Sequence, residues 1–183
     1  MDAIVEAALR KWPNVPHCYG WLALDARGNW FMRDERIQAA GPFPQVKGSR
    51  IEHEKLLSFI ERNYAHDDAG AWFFQNGPQR VYLQLEAAPW VWRVDVAAGW
   101  PVTSHTGLAA QVHSSWLDEM GRLFLATDLG HGVVHTMDMG VAAAAVDAGV
   151  WLPQALPFAQ MPGRFGYTLN PQPAGGAGAG TTG

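Results

Sequence analysis

The chain has 183 residues, 48% hydrophobic and 16% charged, with 13 basic and 17 acidic residues for a net charge of -4. Disorder along its whole length is excluded, because disorder combines low hydrophobicity with dense charge. No nucleic-acid partner is expected, because no Lys/Arg cluster offers the basic face that displaces counterions from phosphate. The length suits one domain, or two small halves sharing a core. A single cysteine, Cys18, rules out an internal disulfide framework and fits a reducing compartment. No apolar run approaches the roughly 20 residues that span a bilayer. The N-terminus carries Asp2 and Glu6 and lacks a basic region followed by an apolar core, so it does not read as a signal peptide. A cytoplasmic protein without a membrane partner is the expectation.

Residues 2–12 read as an amphipathic helix with Ile4, Val5, Ala8, Leu9 and Trp12 on one stripe, stopped by Pro13. Residues 19–24 read as a strand, 25–28 as a turn and 29–37 as the returning strand. The stretch 38–48, with Gly41, Pro42, Pro44 and Gly48, reads as a loop. Ser49 and Glu52 have the spacing of a capping box, in which hydroxyl and carboxylate each take an orphan backbone N–H. A helix follows with Leu56, Phe59 and Ile60 on its inner face. From 71 to 94 the pattern is β: Asn76-Gly77 is a turn dipeptide, Val81, Leu83 and Leu85 alternate with Tyr82, Gln84 and Glu86, and 90–94 forms a further strand after Pro89. Short strands at 102–106, 111–117, 122–127 and 133–137 follow. A small-faced helix at 138–149 ends at Gly149. The fold class expected is α+β, with antiparallel β-hairpin sheets, packing helices and two related halves, 1–98 and 99–170. A low-complexity tail, 171–183, has nothing to bury.

One pattern recurs three times: Asp, two residues, Gly, one residue, a large apolar residue, then Phe. It occurs at Asp25/Gly28/Trp30/Phe31, Asp67/Gly70/Trp72/Phe73 and Asp118/Gly121/Leu123/Phe124. Turn chemistry explains it. The carboxylate accepts backbone N–H groups a few residues on, glycine takes the left-handed conformation that closes the hairpin, and the apolar pair starts the return strand. Three copies of one local logic argue for bends rather than metal ligands. The uneven spacing excludes a solenoid or propeller and fits duplication of a hairpin-plus-helix unit.

The order of these elements resembles the bacterial family known as domain of unknown function 1285. The likeness runs over about residues 20–95 and rests on Gly28, Trp30, Ile37, Leu56, Asp67, Gly70, Val81, Leu83, Leu85, Glu86, Ala88, Pro89 and Trp90. The chain departs from that pattern in the Pro/Gly loop 38–48 and in its second half. The resemblance implies two small α+β halves in one compact protein. It implies no activity and carries over no catalytic residues.

Four histidines in the second half, His105, His113, His131 and His135, are the candidate metal set, the last two spaced i, i+4. That spacing serves one ion on a helix. Gly130 and Gly132 point to a strand, where i and i+4 lie roughly 13 Å apart. His66-Asp67-Asp68 and Glu52-His53-Glu54 read as a turn and a helix start. No serine-nucleophile elbow, phosphate loop or dinucleotide fingerprint is present. The remaining candidate is aromatic and cationic: Trp90, Trp92 and Arg93, with Arg80 and Tyr82 on the preceding strand. An open Trp90/Trp92 face would recognise a protein partner or a small ligand; a covered one would be core. The expected function is a non-catalytic cytoplasmic binding or regulatory module, without cofactor, using that aromatic surface or a cleft between the halves. The alternatives are a metal-assisted hydrolase on the four histidines and an oligomerisation or structural protein.

Overall fold

Two sheets share one plan. A computed structural model describes residues 1–174, so most of the expected tail, 175–183, lies outside the described residues. The first sheet holds β1 (Cys18–Leu24), β2 (Trp30–Met32), β3 (Ser49–Arg50), β4 (Tyr64–His66), β5 (Trp72–Asn76) and β6 (Gln79–Leu85), in the order β3-β2-β1-β6-β5-β4. The second holds β7 (Trp90–Val94), β8 (Val102–Ser104), β9 (Ala109–Ala110), β10 (Val112–Leu117), β11 (Leu123–Thr127), β12 (Gly130–Val134) and β13 (Gln154–Ala155). Read from its β9 edge, its order is β9-β8-β7-β12-β11-β10-β13. Strand for strand this is the first sheet again, with β13 added, and it realises the expected pair of related halves.

Both sheets are mixed rather than purely antiparallel. Hairpins account for the outer pairs, but each sheet closes on a central parallel pair. β1 runs parallel to β6, with Leu22 opposite Leu83 and Leu24 opposite Leu85. β7 runs parallel to β12, with Trp90 opposite Gly132 and Trp92 opposite Val134. The short β13 also lies parallel to β10. Turn signals reveal local antiparallel partners, whereas parallel partners meet only through long crossovers.

The three aspartate turns form as the residue pattern predicts. In each, Oδ1 of the aspartate accepts two backbone N–H groups: Arg27 and Asn29 at 2.9 Å for Asp25, Ala69 and Ala71 at 3.0 Å for Asp67, and Met120 at 3.0 Å with Arg122 at 2.8 Å for Asp118. Gly28, Gly70 and Gly121 take φ of 79°, 77° and 77°, a region open to glycine and costly for other residues. Ser104 makes a fourth such turn. Its Oγ accepts from Thr106 and Leu108 at 3.3 and 3.1 Å, and Gly107 has φ 85°. A hydroxyl stands where the other turns use a carboxylate, which hid this copy from a search for Asp.

Five α-helices complete the described chain: α1 (Ala3–Lys11), α2 (Glu35–Ala40), α3 (Glu54–Arg62), α4 (Met139–Asp147) and α5 (Met161–Phe165). Several expectations change here. The returning strand stops at Met32, because Asp34 caps α2 by accepting from Ile37 N at 2.9 Å. The Ser49/Glu52 capping box does not form: Ser49 pairs with Met32 in β3, and His53 caps α3 instead, its Nδ1 accepting from Leu56 N at 3.3 Å. On α1 only Val5 is buried, and Ile4 is 77% exposed. That helix is tethered by polar bonds, Asp2 N donating to Asn63 Oδ1 at 2.8 Å and Arg62 pairing with the Asp2 carboxylate. Finally, β7 belongs to the second sheet, so the chain changes sheet between Leu85 and Trp90, upstream of the expected boundary at 98.

One hydrophobic core spans both sheets. Leu24, Trp30, Leu83 and Leu85 from the first pack in one cluster with Trp92, Phe124, Leu125 and Val133 from the second, and Ala142 and Ala145 of α4 join it. The segment after α5 returns to the first half, with Leu85 N donating to Leu169 O at 2.8 Å and Thr168 N to Gly70 O at 3.0 Å.

Candidate functional site

The Trp90/Trp92 face is covered rather than open, and only the edge of Trp90 borders a cavity. Trp90 is 6% exposed and Trp92 0%. Each indole N–H is spent inside the protein, on Leu129 O at 2.9 Å and Leu125 O at 3.0 Å. The absence of a side chain at Gly132 leaves room for the Trp92 ring and the Trp90 Cβ. Period-2 alternation put the two tryptophans on one face, but it is the first sheet, with Tyr64 and Trp72 packed on Trp90, that covers it. Arg93 turns the other way and forks onto Asp138, with Nε to Oδ2 at 2.6 Å and Nη2 to Oδ1 at 3.0 Å. The hydrogen bond from Arg93 holds the Asp138 carboxyl below its ordinary range. Arg80 and Tyr82 are on the other sheet, where Tyr82 stacks on Tyr19 at 4.8 Å and donates to Asp67 Oδ2 at 3.0 Å, and Arg80 lies over Phe73. The five expected binding residues therefore do not form one site.

The four histidines also occupy separate environments. Among the described residues no three His, Cys, Asp or Glu side chains lie together as a metal-binding group. His113 is exposed on β10, and His135 caps a short 3-10 turn by accepting from Met137 N at 3.1 Å. His131 is 4% exposed and stacks on Phe165 at 3.8 Å and Phe124 at 5.3 Å, with both ring nitrogens unpartnered. His105 accepts from Val91 N at 3.2 Å through Nδ1, leaving Nε2 enclosed without a partner. Burial disfavours the imidazolium and pushes both His105 and His131 down to about 3. Both are neutral at neutral pH, His131 within the core and His105 half-buried at its edge.

What the fold does build is a cleft between the halves. The C-terminal end of α3 and residue Asp2 form one wall, the β8–β9 turn with Thr106 and Leu108 forms the other, and Tyr64 and Trp90 lie at the base, enclosing about 540 Å³. Tyr64 packs edge-on against Trp90 at 5.4 Å and against Trp30 at 5.3 Å. Its hydroxyl donates to Pro89 O at 2.6 Å, which commits the polar end and leaves the ring. Burial raises the Tyr64 phenol well above its ordinary range. Three charged side chains line the cleft: Asp2, Arg62 and Glu61. Arg62 is taken by Asp2, its Nε lying 3.2 Å from Oδ1. Glu61 has no ion-pair partner among the described residues, and burial pushes its carboxyl up. The Trp30 indole N–H, on a residue 1% exposed, faces this carboxyl from inside and works to lower it, less strongly than burial raises it.

Periodicity put Leu56, Phe59 and Ile60 on the inner face of this helix and pointed to no site at Glu61. The cleft arises because the duplicated half presents its β8–β9 turn to α3, a long-range arrangement. The signal available in the sequence was an acid near a helix C-terminus, where the dipole disfavours it.

A second hollow of about 340 Å³ lies under α3, lined mostly by carbon side chains such as Trp21, Met32, Leu56 and Phe59, with Cys18, Asn76 and Gln79. Ion pairs also tie parts of the first half together. Lys47 Nζ lies 3.0 Å from Asp25 Oδ2 and 3.5 Å from Glu86 Oε2, tying the loop after α2 to the first aspartate turn. Burial works to raise the Asp25 carboxyl, but hydrogen bonds from Asn29 and Lys47 prevail and it is lowered. Arg33, fully enclosed, donates to Val46 O, Gly41 O and Gln84 Oε1, and so pins the same loop.

Fold and cleft together define a class: a duplicated two-sheet α+β protein with one core and a polar cleft at the seam. The chain belongs to the family named DUF2944, described as a protein of unknown function (DUF2946), which it matches over residues 1–172. In structure it is similar to a DUF1285 family protein from Silicibacter pomeroyi DSS-3, with TM-score 0.49 and 13% identity over 78% of this chain and 83% of that one. It is also similar to a DUF1285 family protein from Shewanella baltica OS155, with TM-score 0.46 and 14% identity over 68% of this chain and 91% of that one. The resemblance drawn from residues 20–95 is thus to the family of these two proteins, while the family shown for the chain is DUF2944. No curated protein matches it. Among the described residues no helix is long and apolar enough to cross a membrane.

Proposed function

We propose that this protein is a non-catalytic binding module whose ligand site is the cleft between its two halves. The carrying observation is the concavity of about 540 Å³ over Tyr64 and Trp90, into which the unpaired Glu61 carboxyl is set. That volume falls in the range of small-molecule sites, and an apolar base with a few polar groups is the chemistry such sites use. The setting belongs to the same reading. A lone Cys18 asks for no oxidising compartment, which favours the cytoplasm, and the family resemblance of residues 20–95 favours a bacterial source.

A fragment screen followed by amide chemical shifts tests this. Hits are expected to shift residues 58–64 and 106–108, and Ser58→Trp, at an exposed position on the cleft wall, is expected to abolish them while circular dichroism is unchanged. Hits that bind the Ser58→Trp variant equally well, or that map elsewhere, would refute the proposal.

A further inference from the structure

Resting on the cleft reading, we infer that the group the cleft receives is a cation: the ammonium or amine of a small ligand, paired with Glu61 and seated against the rings of Tyr64 and Trp90. Three observations converge. Charge comes first. Of the charged groups lining the cleft, Asp2 pairs with Arg62 through contacts of 3.2 to 3.3 Å and also lies in the field of the Met1 ammonium, whereas Glu61 has no ion-pair partner among the described residues. A half-buried carboxylate without a partner is costly, and an incoming cation relieves that cost.

Position comes second. Glu61 is the last residue but one of α3, Glu54–Arg62. Unsatisfied carbonyls at a helix C-terminus carry partial negative charge, which disfavours a carboxylate and attracts a cation. This end of the helix favours positive charge near Glu61, although Asn63 already caps the Phe59 and Ile60 carbonyls. Burial raises the Glu61 carboxyl, and the Trp30 N–H, facing it from inside the core, offsets part of that rise.

The third is the surface the ligand would meet. Tyr64 and Trp90 have committed their polar atoms to Pro89 O and Leu129 O, so they offer only ring carbon to the cleft. Aromatic rings attract a desolvated cation through their quadrupole and give a neutral ligand only contact area. An anion would meet like charge at Glu61.

Three matched probes decide the matter: benzylammonium, benzyl alcohol and benzoate, titrated into the full chain at neutral pH and followed by chemical shift. Benzylammonium is expected to bind about tenfold tighter than benzyl alcohol, with benzoate weakest. Glu61→Gln should erase that preference and leave benzyl alcohol unchanged, and Ser58→Trp should abolish all three. Equal affinities in the wild type, or a preference that survives Glu61→Gln, overturn the cation inference and leave the cleft reading standing. If no probe shifts residues 58–64 and 106–108, the cleft reading itself falls.

Discussion

Replacing Gly132 by Ala adds one methyl group at the tightest point between β12 and β7. A Cβ there would stand 2.6 Å from Trp92 Cε2 and 2.7 Å from Trp90 Cβ, and closer still to Trp92 Nε1. Neither ring can retreat. Trp92 is fully buried, and its N–H is bonded to Leu125 O at 3.0 Å. Overpacking of this kind costs about 1–3 kcal/mol. Displacing the indole enough to break its bond strands a buried donor and acceptor, at about 1–3 kcal/mol more. Lower chain entropy in the unfolded state returns about 0.5–1 kcal/mol. The net loss expected is about 2–4 kcal/mol, a large share of the roughly 5–15 kcal/mol typical of a domain. With an m-value near 2 kcal/mol/M, the urea midpoint should fall by about 1–2 M. Gly140→Ala is the control. No atom lies within 4 Å of its Cβ position in α4, so the same chemical change should stabilise by about 0.5–1 kcal/mol. Urea unfolding read by far-ultraviolet circular dichroism compares the two variants with the parent. A Gly132→Ala midpoint within about 0.3 M of the parent, small against that expected shift, would refute the packing argument.

Asp118→Ala removes the acceptor of two backbone N–H groups and the partner of Arg122, whose Nε lies 2.7 Å from Oδ2. It should cost about 2–3 kcal/mol in urea unfolding, whereas Asp118→Ser, which mimics the Ser104 turn, should recover part of that loss. His105 and His131 titrate near 3 in the folded protein against 6.5 for the free side chain, so the unfolded chain binds more protons between those values. Their stabilisation is complete above about pH 6.5 and is lost as pH falls towards 3, and urea midpoints measured from pH 7 to 4 should decline accordingly. His131→Phe keeps the ring stack and removes two unpartnered nitrogens. It should gain about 1 kcal/mol at neutral pH and flatten part of the acid decline; an acid limb identical to the parent's would show that His131 does not contribute to it.

Local chemistry was legible in the residues themselves. The three Asp-x-x-Gly turns, the Asn76-Gly77 hairpin, the inward Val81/Leu83/Leu85 edge and the cores of α3 and α4 all follow from interactions within a few residues, which the sequence alone determines. The Ser104 turn was legible in principle, since a hydroxyl can accept the same N–H pair. Boundaries set by competition between equal local options were not: Asp34 and His53, rather than Ser49, won the helix starts. What only the tertiary structure decided is which strands run parallel, that the Trp90/Trp92 face is interior, that the four histidines lie apart and that Glu61 faces a cleft. Each depends on contacts between residues tens of positions apart, such as Trp92 with Leu125 or Tyr64 with Trp90. Period-2 alternation assigns a side chain to a face but contains no information on what the rest of the chain will lay across it.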